Sequence, residues 1–277
     1  MPLHVKLYLM GSSPAGHRAI GQMLLRAGAV ETADESKADV RIGIWQLGMP
    51  VPVDGTCPLV RWWTGTDVLC LEDGRTQDTV KHNWVAAPWF RSRLEACGLK
   101  ASVIPIIPAC KTVALPLPAT PAIYAYAPDR PVYRWGDVTW LANMLPHVKF
   151  YVTGRNASSL DPPNVEALGG IHCDRMHEVY AKVSIVLRLC DTDGLSLTIL
   201  EALSYGRYAV WKGGNIPGCR TVANKEEALY ALHFLLGAQQ ANLTGLETME
   251  RLGRAVIPVL ARELGHFCKT DRKEGTA

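Results

Sequence analysis

Two carboxylates in the stretch CDTDGLSLTILEALSYG, Cys190–Gly206, stand at a spacing that suggests chemistry: Asp193 and Glu201, eight residues apart. Leu195, Ile199 and Leu203 recur between and beyond them at helical spacing, and a helix buried on that face has no need of Glu201. A helix starting near Gly194 would separate the carboxylates by roughly 12 Å along its axis. That is too far for a general acid and base working on one bond, and a sensible length for gripping both ends of an extended ligand. Between them, the backbone N–H groups of Gly194, Leu195, Ser196 and Leu197 would lie at a helix N-terminus, where unpaired donors and the positive dipole end favour phosphate. Gly194 and Ser196 are small enough to let it approach. A nucleotide-sugar has this outline: sugar hydroxyls, a diphosphate, then a ribose. The competing reading makes Asp193 an N-cap and Glu201 a solvated helix residue, and spacing alone leaves both standing.

The elements that must position these residues alternate. VKLYLM (Val5–Met10) reads as a strand and GSSPAGHRAIGQMLLRAG as a glycine-rich turn opening a helix. Residues 38–45 and 57–63 read as strands, 79–98 as helical with a break or new start at Pro88, and ASVIPIIP as a closing strand. Five prolines then fall between Pro105 and Pro121, and proline continues neither a helix nor a central strand. The alternation restarts beyond them. AIYAYAP, VKFYVTG, SIVLRLC and YAVWKGG read as strands, WGDVTWLANML, MHEVYAKV and GLSLTILEALSYG as helices, and Lys225 to about Cys268 as helical throughout. The implied class is α/β with mainly parallel sheets in two domains. The expected boundaries are 1–108, a proline-rich linker 109–121, 122–240, and a C-terminal helix with a polar tail over 241–277 that packs back on the first domain. Such sheets bind ligands at the carboxyl ends of their strands, so the expected site is a cleft between the domains.

Bulk properties set limits. A chain of 277 residues, 48% apolar and 20% charged, fits two compact globular domains. The net charge of +3 permits an anionic partner, nucleic acid included, but the scattered Lys and Arg do not argue for one. The eight cysteines form no C-x-x-C, which suits reduced thiols. The N-terminus lacks the pattern of a signal peptide, and no window approaches the ~18 apolar residues of a membrane span, so a cytoplasmic location is expected.

The segment DGLSLTILEALSYG followed by KGGNIPG resembles the donor-site signature of retaining GT-B glycosyltransferases of the E-x7-E type (glycosyltransferase group 1, family 4-like), with Asp193 in place of the first glutamate and Glu201 as the second. YAPDRPVYRWGDVTWLANMLPHVKFYVTG, MHEVYAKVSIVLRLC, WWTGTDVL and KHNWVAAPWFRSRLEACGLKASVIPIIP resemble further segments of that family in the same order, together covering most of residues 57–220. The resemblance implies two Rossmann-like domains facing each other across a cleft, a nucleotide-sugar donor (UDP-, GDP- or similar), and transfer with retention at the anomeric carbon. It implies that Asp193 contacts sugar hydroxyls, Glu201 the ribose and Gly194–Leu197 the distal phosphate, while the base lies near Gly154 and the turn Gly170–His172. Arg130, Arg134 and Arg188 are the candidates for neutralising the diphosphate. No divalent ion is expected to be obligatory.

The first domain departs from the family. Thr64 in WWTGTDVL stands where relatives carry a histidine beside the reacting sugar, while Asp67 is retained; Asp67 also reads as a turn or helix cap. Gly11 and Gly16 open the first helix and are candidates for approaching the diphosphate or acceptor, though such turns are ordinary α/β construction. Trp45, Trp62, Trp63, Trp84 and Trp89 offer a stacking surface or simply a core. The domain is also short for the family. Two functions remain open: an active sugar transferase whose acceptor is a glycan, a small molecule or a modified base in nucleic acid, and a non-catalytic sugar or nucleotide-sugar binding module of the same fold.

Overall fold

The computed structural model describes residues 2–10, 14–45, 57–64, 80 and 82–270. The chain divides into two compact units, Met1–Ala109 with Leu252–Ala277, and Cys110–Arg251. Each is built on its own parallel sheet.

The first unit runs β1 (Leu3–Met10), α1 (Pro14–Arg26), β2 (Ala29–Glu31), β3 (Val40–Trp45), β4 (Leu59–Trp63), β5 (His82–Val85), α2 (Pro88–Ala96) and β6 (Ala101–Val103). The strands lie in the order β2-β1-β3-β4-β5-β6. Pro88 occupies the first turn of α2, where its missing N–H costs nothing. The helical reading of 79–98 is therefore corrected: the stretch is a strand, a bend and then a helix. His82 and Asn83 hid the strand because they interrupt its apolar run. Asn83 is nonetheless buried, accepting from Trp63 Nε1 at 2.9 Å and donating to the Val80 carbonyl at 3.2 Å. Trp62, Trp63 and Trp84 are core, Trp62 donating to the Ile104 carbonyl at 2.9 Å and meeting Trp84 edge-on.

The second unit runs β7 (Ala122–Tyr126), α3 (Trp135–Met144), β8 (Lys149–Thr153), β9 (Val165–Gly169), α4 (Met176–Ala181), β10 (Ile185–Arg188), α5 (Leu197–Ser204), β11 (Tyr208–Trp211), β12 (Cys219–Thr221) and α6 (Lys225–Leu235). The final helix α7 (Leu243–Thr270) begins in this unit and ends in the other. The single helical stretch expected from Lys225 is thus two helices. Between them Asn242 turns the chain, accepting from the Gly245 amide and donating to the Gly218 carbonyl at 2.7 Å.

Strands β7, β8, β10 and β11 are buried and nearly all apolar, as a sheet covered on both faces requires. One face packs Ile123, Phe150, Val152 and Leu187 with Val138, Leu141 and Leu232 of α3 and α6. Each such side chain contributes about 1.5–3 kcal/mol. The order β12-β11-β10-β7-β8-β9 places successive strands outward from β7 on one side and then on the other. Counted from β7, this is the 3-2-1-4-5-6 order of doubly wound nucleotide-binding sheets. Its direction reverses between β7 and β10, the kind of switch point beside which such sheets bind ligands.

Candidate functional site

Arg188 ends β10, at that reversal, beside Tyr126 at the end of β7. Its guanidinium is buried, with the rings of Tyr126 and Tyr133 at 5.3 and 5.2 Å. Nε donates to Asp193 Oδ2 at 2.5 Å, and both side chains are nearly withdrawn from solvent. Burial opposes the charge on Arg188, but the Asp193 charge and hydrogen bond outweigh it and raise its pKa. Nη1 is buried with no hydrogen-bond partner among the described residues. The loop is anchored by the Asp191 amide, which donates to the Val132 carbonyl at 3.0 Å. The alternative that Asp193 caps the helix is corrected: Ser196 stands at the N-cap, and Asp193 is ion-paired with Arg188.

A second ion cluster lies on Asp191. Its Oδ1 pairs with Lys212 Nζ at 2.8 Å and Arg134 Nε at 3.5 Å, and Arg134 also donates to Asp137 at 3.0 Å. Arg134 adopts left-handed backbone (φ 52°) to start α3, which turns its exposed side chain toward Asp191. Asp191 and Asp193 have an Asp-x-Asp spacing, yet each carboxylate is already bonded to a cation. Arg130 is exposed and serves backbone geometry, its amide donating to the Pro128 carbonyl. Lys212, Asp191, Tyr126 and Tyr133 escaped the sequence analysis. The available signal was positional: each follows or ends an apolar strand, or lies in the loop after one.

Helix α5 begins at Leu197, three residues later than expected. The amides of Gly194, Leu195 and Ser196 therefore lie in the bend before it, and only Leu197 of that group is helical. The open donors of the first turn belong to Leu197, Thr198 and Ile199. The 12 Å estimate loses its premise too, since only Glu201 is on the helix. Ser196 makes no side-chain cap bond, and its hydroxyl is buried with no partner among the described residues. Glu201, half-buried, accepts from the Tyr180 hydroxyl at 2.7 Å, so it is not simply a solvated helix residue.

The expected base side is formed by the turns after β8 and β9. Gly154 has φ +88°, and a Cβ there would stand 3.1 Å from Pro128 N, so the two loops can approach only with glycine. The Gly154 amide donates to the Gly169 carbonyl at 2.9 Å. His172 is exposed and pairs with Asp174 at 3.3 Å. With Cys173 they bring three donor atoms within 4.8 Å of one another, on the surface. In the first unit, Gly16 lies in α1 and Thr64 follows β4, both half-buried. Gly11, Trp45's side chain and Asp67 lie outside the described residues.

No protein-family model and no curated protein matches this sequence. Solved structures do. The chain is similar to AviGT4, a glycosyltransferase involved in avilamycin A biosynthesis (TM-score 0.63, 13% identity, covering 97% of this chain and 99% of that one). It is similar to the lipopolysaccharide outer core galactosyltransferase WaaB (0.61, 12%, 96% and 99%). It is also similar to the pneumococcal O-GlcNAc transferase GtfA, solved with UDP and GlcNAc (0.60, 11%, 91% and 60%). The chain spans little more than half the length of the longer relatives, 54% of TarM among them. At these identities the similarity is one of fold, and the fold is that of the GT-B glycosyltransferases. Among the described residues no helix is long and apolar enough to cross a membrane.

Proposed function

We propose that this chain is a glycosyltransferase that moves a sugar from a nucleoside diphosphate donor, UDP- or GDP-linked, to an acceptor hydroxyl with retention of anomeric configuration. The observation that carries the reading is the buried Arg188, whose Nη1 has no acceptor, at the reversal point of a Rossmann-order sheet. Beside it are Lys212, Arg134 and the start of α5 with its unpartnered Ser196 hydroxyl. Buried donors without acceptors are costly, and a diphosphate supplies several acceptors at once. Transfer breaks the bond between the anomeric carbon and the distal phosphate oxygen and makes one to the acceptor oxygen. The acceptor's proton leaves with the departing diphosphate. Cations and helix-terminal amides fixed in place stabilise the charge growing on the leaving group, which is electrostatic catalysis more than acid–base catalysis.

In this reading Arg188 and Lys212 serve the diphosphate, Arg134 assists, Asp193 meets sugar hydroxyls through its second oxygen, and Glu201 binds the ribose. Gly154 and His172 border the base, while Gly16 and Thr64 are acceptor-side candidates with Gly11 and Asp67. The test is a thermal-shift panel of nucleotide-sugars and nucleoside diphosphates on the wild type and Glu201→Ala. A ligand present at about 100 times its Kd stabilises by about 2.7 kcal/mol, which moves the melting temperature by several degrees. If no member of the panel stabilises the wild type, the donor site is wrong. One observation favours a binding module instead: the carboxylate expected to meet the sugar is committed to Arg188. Donor hydrolysis without acceptor separates the two, since a module shows none.

A further inference from the structure

The Tyr180 hydroxyl donates to Glu201 Oε2 at 2.7 Å, with the Thr198 carbonyl a more distant second acceptor at 3.3 Å. The phenol is fully buried and clamped by aromatic neighbours. Its ring stacks on Tyr205 at 5.3 Å and meets the edge of Tyr124 at 5.8 Å. Tyr124 is fixed in turn through Thr153 Oγ1 at 2.7 Å, one residue before the Gly154 turn. A contact chain therefore runs from the β8 turn through two tyrosines to the α5 carboxylate. Burial, reinforced by the Glu201 charge, pushes the Tyr180 pKa well above that of a free phenol, so the hydroxyl stays a donor.

An exposed glutamate samples several rotamers, and fixing it costs binding energy each time a ligand arrives. A neutral donor on a locked ring removes that freedom in advance and leaves the charge of the carboxylate in place. We propose that Tyr180 is a positioning residue for ribose recognition: by donating to Glu201 Oε2 it sets the orientation in which the carboxylate meets the vicinal hydroxyls of the donor's ribose. The inference rests on the ribose role given to Glu201 above.

The test compares the affinity of each variant for UDP with its affinity for 2′,3′-dideoxy-UDP by calorimetry, or the GDP pair if UDP does not bind. The ratio within one variant is insensitive to its overall stability. Tyr180→Phe keeps the ring and is expected to lower the ribo-to-dideoxy ratio about tenfold, as for loss of a hydrogen bond to a charged group. Glu201→Ala is expected to abolish the ratio, and the double variant to add nothing further. Tyr205→Phe, which preserves the stack and the Tyr180 hydroxyl, is expected to keep the wild-type ratio. If Glu201→Ala loses the ratio while Tyr180→Phe keeps it, the positioning role is overturned and the ribose reading survives. If Glu201→Ala keeps the ratio, the ribose reading itself falls. A drop in Tyr205→Phe as large as in Tyr180→Phe also overturns the inference, because loosened packing would then suffice.

Discussion

Asp193 and Glu201 stand eight residues apart with the same formal charge, yet the protein holds them in opposite ways. Asp193 sits in a loop against the buried Arg188 cation, and Glu201 on a helix against the neutral Tyr180 hydroxyl. The first arrangement spends the negative charge on a cation inside the protein, while the second orients a carboxylate with a neutral hydroxyl. Two buried or half-buried thiols record the difference. Burial raises the Cys110 pKa to about 11, with the Glu201 charge adding to the rise. Burial also raises that of Cys190, where the Asp193 charge adds and Arg188 opposes it. One sequence signature therefore yields two electrostatic environments: a carboxylate against a buried guanidinium and a carboxylate against a neutral phenol.

The largest expected effect breaks the charged half of the comparison. Arg188→Ala strands Asp193 in a nearly closed site, and removing one partner of a buried pair costs about 3–5 kcal/mol. Urea unfolding measures this directly. Arg188→Ala/Asp193→Ala removes both charges and is expected to recover most of the loss. Failure of the double variant to recover would mean that Arg188 stabilises through its tyrosine contacts rather than through Asp193.

How far these arrangements were legible in the sequence differs by element for physical reasons. The central strands β7, β8, β10 and β11 are covered on both faces and declare themselves as apolar runs. Of the unread strands, β2, β9 and β12 are edge strands, with residues such as Glu31, Glu166 and Arg220 that solvent tolerates, while the interior β5 was hidden by His82 and Asn83. At the site, the acids and Arg188 were readable by type and place. Their pairings were not, because Tyr180 reaches Glu201 across 21 residues and Lys212 reaches Asp191 across 21. The late start of α5 escaped for a local reason: Asp193, Gly194 and Ser196 are all favoured N-cap types, so residue type alone offered several starts and did not single out Ser196.

A smaller effect sharpens the neutral half. In the folded protein burial pushes the Cys110 thiol up to about 11, against 9.0 for the free group. A raised folded pKa means that the unfolded chain releases this proton first as pH increases. The stabilisation is full below pH 9 and is lost between about pH 9 and 11, at up to 1.4 kcal/mol per pH unit, or about 2 kcal/mol across the window. Stability curves of wild type and Cys110→Ala are expected to converge by that amount. Glu201→Gln is expected to lower the Cys110 pKa, read from alkylation rates against pH in a variant whose other cysteines are replaced. An unchanged profile would mean that burial alone sets the thiol and that the Glu201 charge does not reach it.

The smallest expected effect concerns Ser196, between the two carboxylates. Its hydroxyl is buried and has no hydrogen-bond partner among the described residues, so in the free protein it is a cost without a return. Replacing it with alanine removes the unsatisfied group at nearly constant shape. Ser196→Ala is therefore expected to leave unfolding free energy unchanged or raise it by up to about 1 kcal/mol. A hydroxyl retained for a ligand gives the opposite result in binding: the same variant is expected to hold a nucleoside diphosphate several-fold less tightly. Denaturant titration and calorimetry on one preparation read both. Opposite signs identify a group whose partner is the ligand. A loss in both would show that Ser196 stabilises the start of α5 itself, and the site would then end at Arg188 and Lys212.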